Sequence, residues 1–146
     1  MNKIKEKYQR KNTVCIQVSV KVEQEINQLP ENERAEYMEA LGLKKSAMEE
    51  ITQSSFRLMD LIAFFTAGEP EARAWSIRRG RNAQQAGGEI HSDIERGFIR
   101  AELIKYNDLM SAGGSPVKAK EKGLFTLKGK DYIVEDGDIF LFRFNV

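Results

Sequence analysis

The sequence predicts an α+β protein: a small domain with one helix packed on a mixed sheet, preceded by a more helical segment. Three observations predict it. After Phe65, short strand-like runs replace the long helical stretches. Turn signals separate those runs: Gly68-Glu69-Pro70, Gly80, Gly97, Gly113-Gly114 and Asp136-Gly137-Asp138. In the last run Phe140, Phe142 and Phe144 alternate, which puts three aromatic side chains on one face of a strand and marks a core.

The first third reads as helix, strand, helix, helix. Val14, Ile16 and Val18 alternate with Cys15 and Gln17 in a β-branched run, which predicts a strand. Lys21–Leu29 and Pro30–Leu41 follow as helices. Pro30 suits a first turn, Glu31, Glu33 and Glu36 favour the positive end of the helix dipole, and Gly42 suits the C-terminal cap. Ser46 and Glu49 have the spacing of a capping box. The helix they open carries Met48, Ile51, Ser55, Leu58, Met59 and Ile62 at spacings of three and four, so one apolar face needs a partner. Strands are expected at Ile62–Ala67, Ala72–Arg78, Phe98–Ile104, Leu124–Lys128, Tyr132–Val134 and Ile139–Asn145. One small helix fits from Asn82, ended by Gly87-Gly88.

Composition bounds the class. Of 146 residues, 41% are hydrophobic and 31% charged, the balance of a soluble globular protein. No apolar run approaches a membrane span, and the charged stretch Met1–Lys11 lacks the apolar core of a signal peptide. The single cysteine, Cys15, excludes an internal disulfide and fits a cytoplasmic location. A net charge of +1 announces no polyanion partner, but Arg73, Arg78, Arg79 and Arg81 lie within nine positions, and Arg96 and Arg100 follow. Asp131, Glu135, Asp136 and Asp138 gather near the C-terminus. A solvated surface with ordinary ion pairs explains such charges as well as a binding face does.

Many spaced residues then point one way. They are Phe64-Phe65-Thr66-Ala67-Gly68, Arg73-Ala74-Trp75, Ala83, Gln85-Ala86, Ile90-His91, Asp93 and Glu95-Arg96-Gly97-Phe98-Ile99-Arg100-Ala101-Glu102. Gly129-Lys130-Asp131-Tyr132, Asp136-Gly137-Asp138 and Phe142-Arg143-Phe144-Asn145-Val146 complete the set. In this order they resemble the C-terminal region of the YchF/Obg-like ATPase family. The resemblance covers about Met48 to Val146 and weakens back to about Val14. It implies a ubiquitin-like β-grasp module, the TGS domain, over residues 62–146. It also implies that residues 1–61 are the C-terminal remnant of a P-loop α/β nucleotidase domain. The family is linked to ATP hydrolysis and to ribosome association.

No Gly-x-x-x-x-Gly-Lys-Ser/Thr segment occurs in the chain. That loop supplies the backbone N–H groups and the lysine that cradle phosphates. No ATPase activity is therefore expected of this polypeptide alone, and no cofactor; the resemblance assigns ATP and Mg²⁺ to full-length relatives. Ser19, Val20 and Lys21 resemble the family's Ser-Ala-Lys loop near the nucleotide base, with Val20 in place of alanine, and are expected to be a vestige of that site. The strand at Val14–Val18 would lack its sheet neighbours. It would pair with another copy, rest on the TGS module or stay poorly ordered.

The arginines are the candidate RNA-binding residues: Arg73, Arg78, Arg79, Arg81, Arg96 and Arg100. Guanidinium groups fit phosphate through a planar fork of donors. Arg73 is expected on one strand face with Trp75 and Ile77, and Arg78 on the other. For Trp75, a place in the core outweighs stacking on a base. For Arg96 and Arg100, ion pairs with Asp93, Glu95 or Glu102 compete with direct RNA contact. Gly97 is expected to make a tight turn into the strand. His91 has no nucleophile or second ligand beside it, so a structural hydrogen-bonding role is expected and no metal site. Cys15 reads as a small buried apolar residue in its strand. Asp136-Gly137-Asp138 reads as a turn, since the other oxygen ligands of a calcium loop are missing.

The expected function is an RNA- or ribosome-binding module. A protein-interaction or regulatory module is the alternative, with Ile139 and Leu141 as contacts on the face opposite the phenylalanines. A residual ATP/GTP-binding protein ranks third. The expected partners are the ribosome or RNA, a protein partner or the nucleotidase domain, and no membrane.

Overall fold

A computed structural model describes residues 6–8, 13–68 and 71–145. The chain divides into two compact units between Met59 and Asp60. Glu6–Tyr8 are helical; the rest of Met1–Lys11, and Glu69 and Pro70 of one expected turn, lie outside the described residues.

The first unit holds helices α1 (Val20–Gln28), α2 (Glu31–Ala40) and α3 (Ala47–Leu58). Arg34 ties α2 to the end of α1: its Nε donates to the Leu29 carbonyl at 3.0 Å. Tyr37 Oη donates to Glu25 Oε2 at 2.7 Å. Gly42, at φ 68°, closes α2 in a Schellman arrangement, with Gly42 N–H bonded to Glu39 O and Leu43 N–H to Met38 O. At α3, Ser46 Oγ accepts from Glu49 N–H at 3.2 Å. The second N-terminal donor, Ala47 N–H, goes to Glu23 Oε1 at 2.7 Å.

Two expectations fail here. Residues 13–19 form no strand, because alternation supplies extended backbone but no ladder partner exists among the described residues. Cys15 is accordingly half-buried in irregular chain. Within its own unit the apolar stripe of α3 also finds no cover. Met48, Ile51, Leu58 and Met59 are exposed, and the buried residue of the helix is Ser54, whose Oγ accepts from Arg57 Nη2.

The second unit is a five-stranded mixed sheet with helices on both faces. Its strands are β1 (Leu61–Ala67), β2 (Ala72–Arg78), β3 (Phe98–Ile104), β4 (Thr126–Lys128) and β5 (Ile139–Phe144). The sheet order is β2-β1-β5-β3-β4. β1 and β5 run parallel through Phe65↔Ile139 and Thr66↔Phe140, and the other pairs are antiparallel. Tyr132–Val134, expected as a strand, makes only an isolated bridge between Ile133 and Asn82.

Helix α4 (Ala83–Ile90) covers one face. Ala83 and Ala86 are fully buried in one cluster with Phe64, Ile62, Ile77, Leu103 and Phe140. Burying a phenylalanine contributes about 3 kcal/mol. Phe64 meets Phe140 edge to face at 6.0 Å between centroids, and Phe98 meets Phe142 at 6.2 Å. The aromatic stripe is graded: Phe140 is buried, Phe142 half-buried and Phe144 exposed, because the covering helix does not reach the end of β5.

Gly87-Gly88 does not end α4. Both glycines lie inside the helix because α5 (Ser92–Arg96) packs back against them. A Cβ on Gly87 would meet Ile94 Cγ2 at 2.8 Å, and one on Gly88 would meet Glu95 Oε2 at 2.7 Å. A true capping box opens the helix: Asn82 Oδ1 accepts from Gln85 N–H, and Gln85 Oε1 from Asn82 N–H.

Helices α6 (Tyr106–Ser111) and α7 (Pro116–Glu121) cover part of the opposite face. There Ile104, Leu109, Ala112, Ala119 and Ile139 form a second core. Ile139, expected as a partner contact, is therefore buried, and Leu141 is half-buried.

Candidate nucleic-acid interface

The six arginines do not form one patch. Arg73 lies near the start of β2 and Arg78 at its end. They stand five positions apart along the strand, about 17 Å. In the β1–β2 register, Arg73 lies opposite Thr66, Trp75 opposite Phe64 and Ile77 opposite Ile62. These residues share the helix-covered face. The Arg73 guanidinium sits over the Trp75 ring, 5.2 Å from its centroid, and pairs with Glu71 at 3.6 Å. Trp75 Nε1 donates to Thr66 Oγ1 at 3.0 Å, and the ring packs half-buried on the main core. It serves as a core residue with an arginine lid.

Arg78, Arg79 and Arg81 surround the turn at Gly80, whose φ of 84° only glycine adopts readily. All three are exposed. Arg79 Nε approaches Asp60 Oδ1 at 3.4 Å, and its N–H donates to the Asp60 carbonyl. No ion pair among the described residues engages Arg78 or Arg81. The turn thus presents two cations with no carboxylate beside them and a third held by an exposed one.

Arg96 pairs with Asp93 one helical turn back, as the ion-pair alternative expects. Arg100 is placed by an irregularity. Strict alternation would put Phe98 and Arg100 on one face. The register slips between them: Phe98 pairs with Phe144 and Arg100 with Arg143, which makes Ile99 a bulge. Phe98 stays in the core, and Arg100 turns to the other face, exposed and outside every ion pair of the described residues. Gly97 makes no left-handed turn (φ −91°); it is glycine because the Asn145 backbone passes against it.

Sequence reasoning missed two buried ionic centres. Glu102, almost buried, accepts from Arg143 Nε at 2.9 Å and Lys120 Nζ at 3.2 Å. The Arg143 hydrogen bond holds its carboxyl below the ordinary 4.5, against the opposing effect of burial. A depressed carboxylate pKa contributes stability that is complete above the unfolded value and is lost as pH falls through the folded one. We expect Arg143→Ala to cost about 1–2 kcal/mol at neutral pH. We also expect the variant to lose part of the wild-type decline in stability below pH 4.5, read by denaturant titrations at several pH values. A decline of unchanged steepness would contradict this.

The second centre is Asp138, fully buried. It accepts from Lys105 Nζ at 2.5 Å, Tyr132 Oη at 3.0 Å and Glu135 N–H at 2.9 Å. Asp136 beside it accepts from Ala63 N–H at 2.9 Å. The Asp-Gly-Asp turn therefore fastens β5 to β1 through Asp136, while Asp138 faces this network. No cluster of metal-ligating side chains exists among the described residues. Only the proximity of Lys105 in space reveals the network; nothing in the sequence links positions so far apart. His91 caps α5, its Nδ1 accepting from Asp93 N–H at 3.2 Å.

In the first unit, Ser19 caps α1 and lines a cleft of about 190 Å³ with Val22, Glu23, Leu43 and Lys45. Val20 is exposed and Lys21 pairs with Glu25 at 4.0 Å, so neither joins Ser19 in the cleft lining. Glu23 and Ser46 already occupy donors at the start of α3, which leaves a carboxylate where a phosphate would need an open N–H. No helix of the described residues is long and apolar enough to cross a membrane.

Residues 61–145 match the family model YchF-GTPase_C, described as a protein of unknown function (DUF933). The chain is 46% identical over 144 residues to a Bacillus subtilis protein named ribosome-binding ATPase YchF, covering 99% of this chain and 39% of that protein. It is 44% identical over 132 residues to Obg-like ATPase 1 of Rattus norvegicus, covering 90% and 33%. Among solved structures it resembles the Schizosaccharomyces pombe YchF GTPase, with a TM-score of 0.73 and 35% identity over 89% of this chain and 34% of that one. The chain thus spans between a third and two fifths of the length of these relatives.

Proposed function

Because the chain belongs to the YchF-GTPase C-terminal family, we propose that its sheet unit is a TGS module that contacts ribosomal RNA for a longer, ATP-hydrolysing cytoplasmic protein. The observation that carries this reading is the Gly80 turn, where Arg78 and Arg81 are exposed and have no carboxylate partner among the described residues. Cations left unpaired on a protein of balanced charge are available to phosphate. Arg100, at the opposite end of the sheet from the turn, is a separate exposed cation, and Arg73 and Arg96, each paired to a neighbouring carboxylate, contribute less. Arg79 helps once Asp60 is displaced. The likeness to proteins named ribosome-binding supports the ribosome as the source of that RNA. The chain itself performs no hydrolysis in this reading. ATP and Mg²⁺ belong to other parts of the full-length relatives, and Ser19 at the cap of α1, with Val20 and Lys21 in its first turn, is read as a base-binding remnant that does not act without those parts.

Fluorescence anisotropy with labelled ribosomal RNA fragments across a salt series tests the surface. Arg78→Ala with Arg81→Ala should weaken binding to all fragments alike and flatten the salt slope by about two counterions. An unchanged slope would move the RNA contact elsewhere.

A further inference from the structure

The outer edge of β2 carries an unused hydrogen-bonding ladder. Phe65 N–H donates to Asp138 O and Ala63 O accepts from Gly137 N–H, so odd-numbered residues of β1 turn their backbone groups toward the β5 side. The even-numbered residues turn toward β2, where Ile62 faces Ile77, Phe64 faces Trp75 and Thr66 faces Arg73. Arg79 N–H to Asp60 O, and Gly68 N–H to Glu71 O, continue the same pattern at both ends. The backbone groups of Arg73, Trp75 and Ile77 are therefore consumed by β1. Those of Ala72, Ala74 and Ser76, and the N–H of Arg78, point away from the sheet.

This edge lacks the usual protections. β2 has seven residues, all in register with β1, and contains no proline or bulge. The opposite edge, β4, has three residues. Ala72, Ala74 and Ser76 are exposed and too small to screen their own backbone. Charge is the one protection present: Arg73 and Arg78 project to opposite faces, and Arg79 follows. Pairing two copies antiparallel would bring Arg73 of one to the Arg78–Arg79 end of the other, which disfavours a second copy.

We propose that the β2 edge is a β-augmentation site for an extended acidic segment of a partner protein. The added strand would bond to Ala72, Ala74, Ser76 and Arg78 through its main chain. Acidic side chains five residues apart on that strand would lie beside Arg73 and Arg78, on opposite faces as the odd spacing requires. A β-branched residue between them would lie against the half-buried Trp75 ring. The two readings share the Arg78 side chain, but this site is read at the outward backbone amides of Ala72, Ala74 and Ser76, which RNA contact at the Gly80 turn does not use, so failure of one is distinguishable from failure of the other.

The probe is the capped peptide Glu-Thr-Val-Val-Thr-Glu-Thr, titrated into the ¹⁵N-labelled whole chain, beside a peptide with both glutamates replaced by lysine. The amides of Ala72, Ala74, Ser76 and Arg78 should shift and gain protection from exchange. The lysine peptide should bind about tenfold more weakly, from two cross-strand charge pairs. Ala74→Pro removes one outward N–H without changing charge and should abolish the shifts. Ala74→Ser keeps that N–H and should preserve them, so a proline variant that unfolds does not decide the outcome. No shift at these amides at millimolar peptide would overturn the proposal. So would equal binding of both peptides, or concentration-dependent self-association through the same amides.

Discussion

Gly97→Ala should destabilise the sheet unit by about 3–4 kcal/mol, the largest effect we expect from a single methyl group. A Cβ at Gly97 would stand 1.9 Å from the carbonyl oxygen of Asn145 and 2.8 Å from its carbon. Both atoms are backbone, so no side chain can rotate away. The two chains are also joined there by Asn145 N–H donating to Gly97 O at 2.9 Å. Relief of the clash must separate the end of β5 from β3, next to the Phe98–Phe142 contact. For a domain of this size the melting temperature should fall by roughly 15 °C or more. Gly129→Ala is the matched control, since nothing lies within 4 Å of a Cβ there. Equal melting temperatures for the two variants would show that the strands give way without cost.

Asp138→Ala should cost about 3 kcal/mol. The carboxylate is fully buried and serves three donors at once. Its removal leaves Tyr132 Oη and Glu135 N–H without their acceptor and leaves Lys105 with Glu135 alone. The pH dependence carries a sign. Burial and the Asp138 hydrogen bond push the Tyr132 hydroxyl up to about 12 from its ordinary 10.0. Burial alone would lower Lys105, but hydrogen bonds to Asp138 and Glu135 overcome it and raise the ammonium. Both groups hold their proton more tightly when folded. Their contribution is complete below pH 10 and is lost as pH rises toward 12. Wild-type stability should therefore fall over that window, and Asp138→Ala should show a shallower fall. Parallel curves would separate the network from the alkaline transition.

What the sequence disclosed follows from which interactions are local. β2 and β3 have the limits that alternation and flanking turns predict, because period two and a glycine turn are written in adjacent residues. Gly42 acts at the predicted place for the same reason. The failures are tertiary. Gly87-Gly88 reads as a helix end, yet its purpose is the close approach of α5, which no local pattern announces. Helices α6 and α7 escaped because each is only six residues long, too short for a helical period to emerge. The second core, which buries Ile139, escaped with them. At the candidate interface the arginines were visible as a run. Their division was visible only for Arg96, whose pairing with Asp93 was an expected alternative; Asp60 and Glu71, which partly neutralise Arg79 and Arg73, and the Ile99 bulge that re-aims Arg100 were not. Glu102 and Asp138 were hidden because their partners stand as far as 41 and 33 positions away.

Ribosome contact through exposed arginines is what we propose for the sheet unit. Its most direct test is co-sedimentation of the polypeptide with purified ribosomes from low to high salt. We predict pelleting at low salt that falls steeply as salt rises and is reduced at every salt concentration by Arg78→Ala with Arg81→Ala. Absence of pelleting at low salt, or pelleting indifferent to both salt and the arginines, would contradict it.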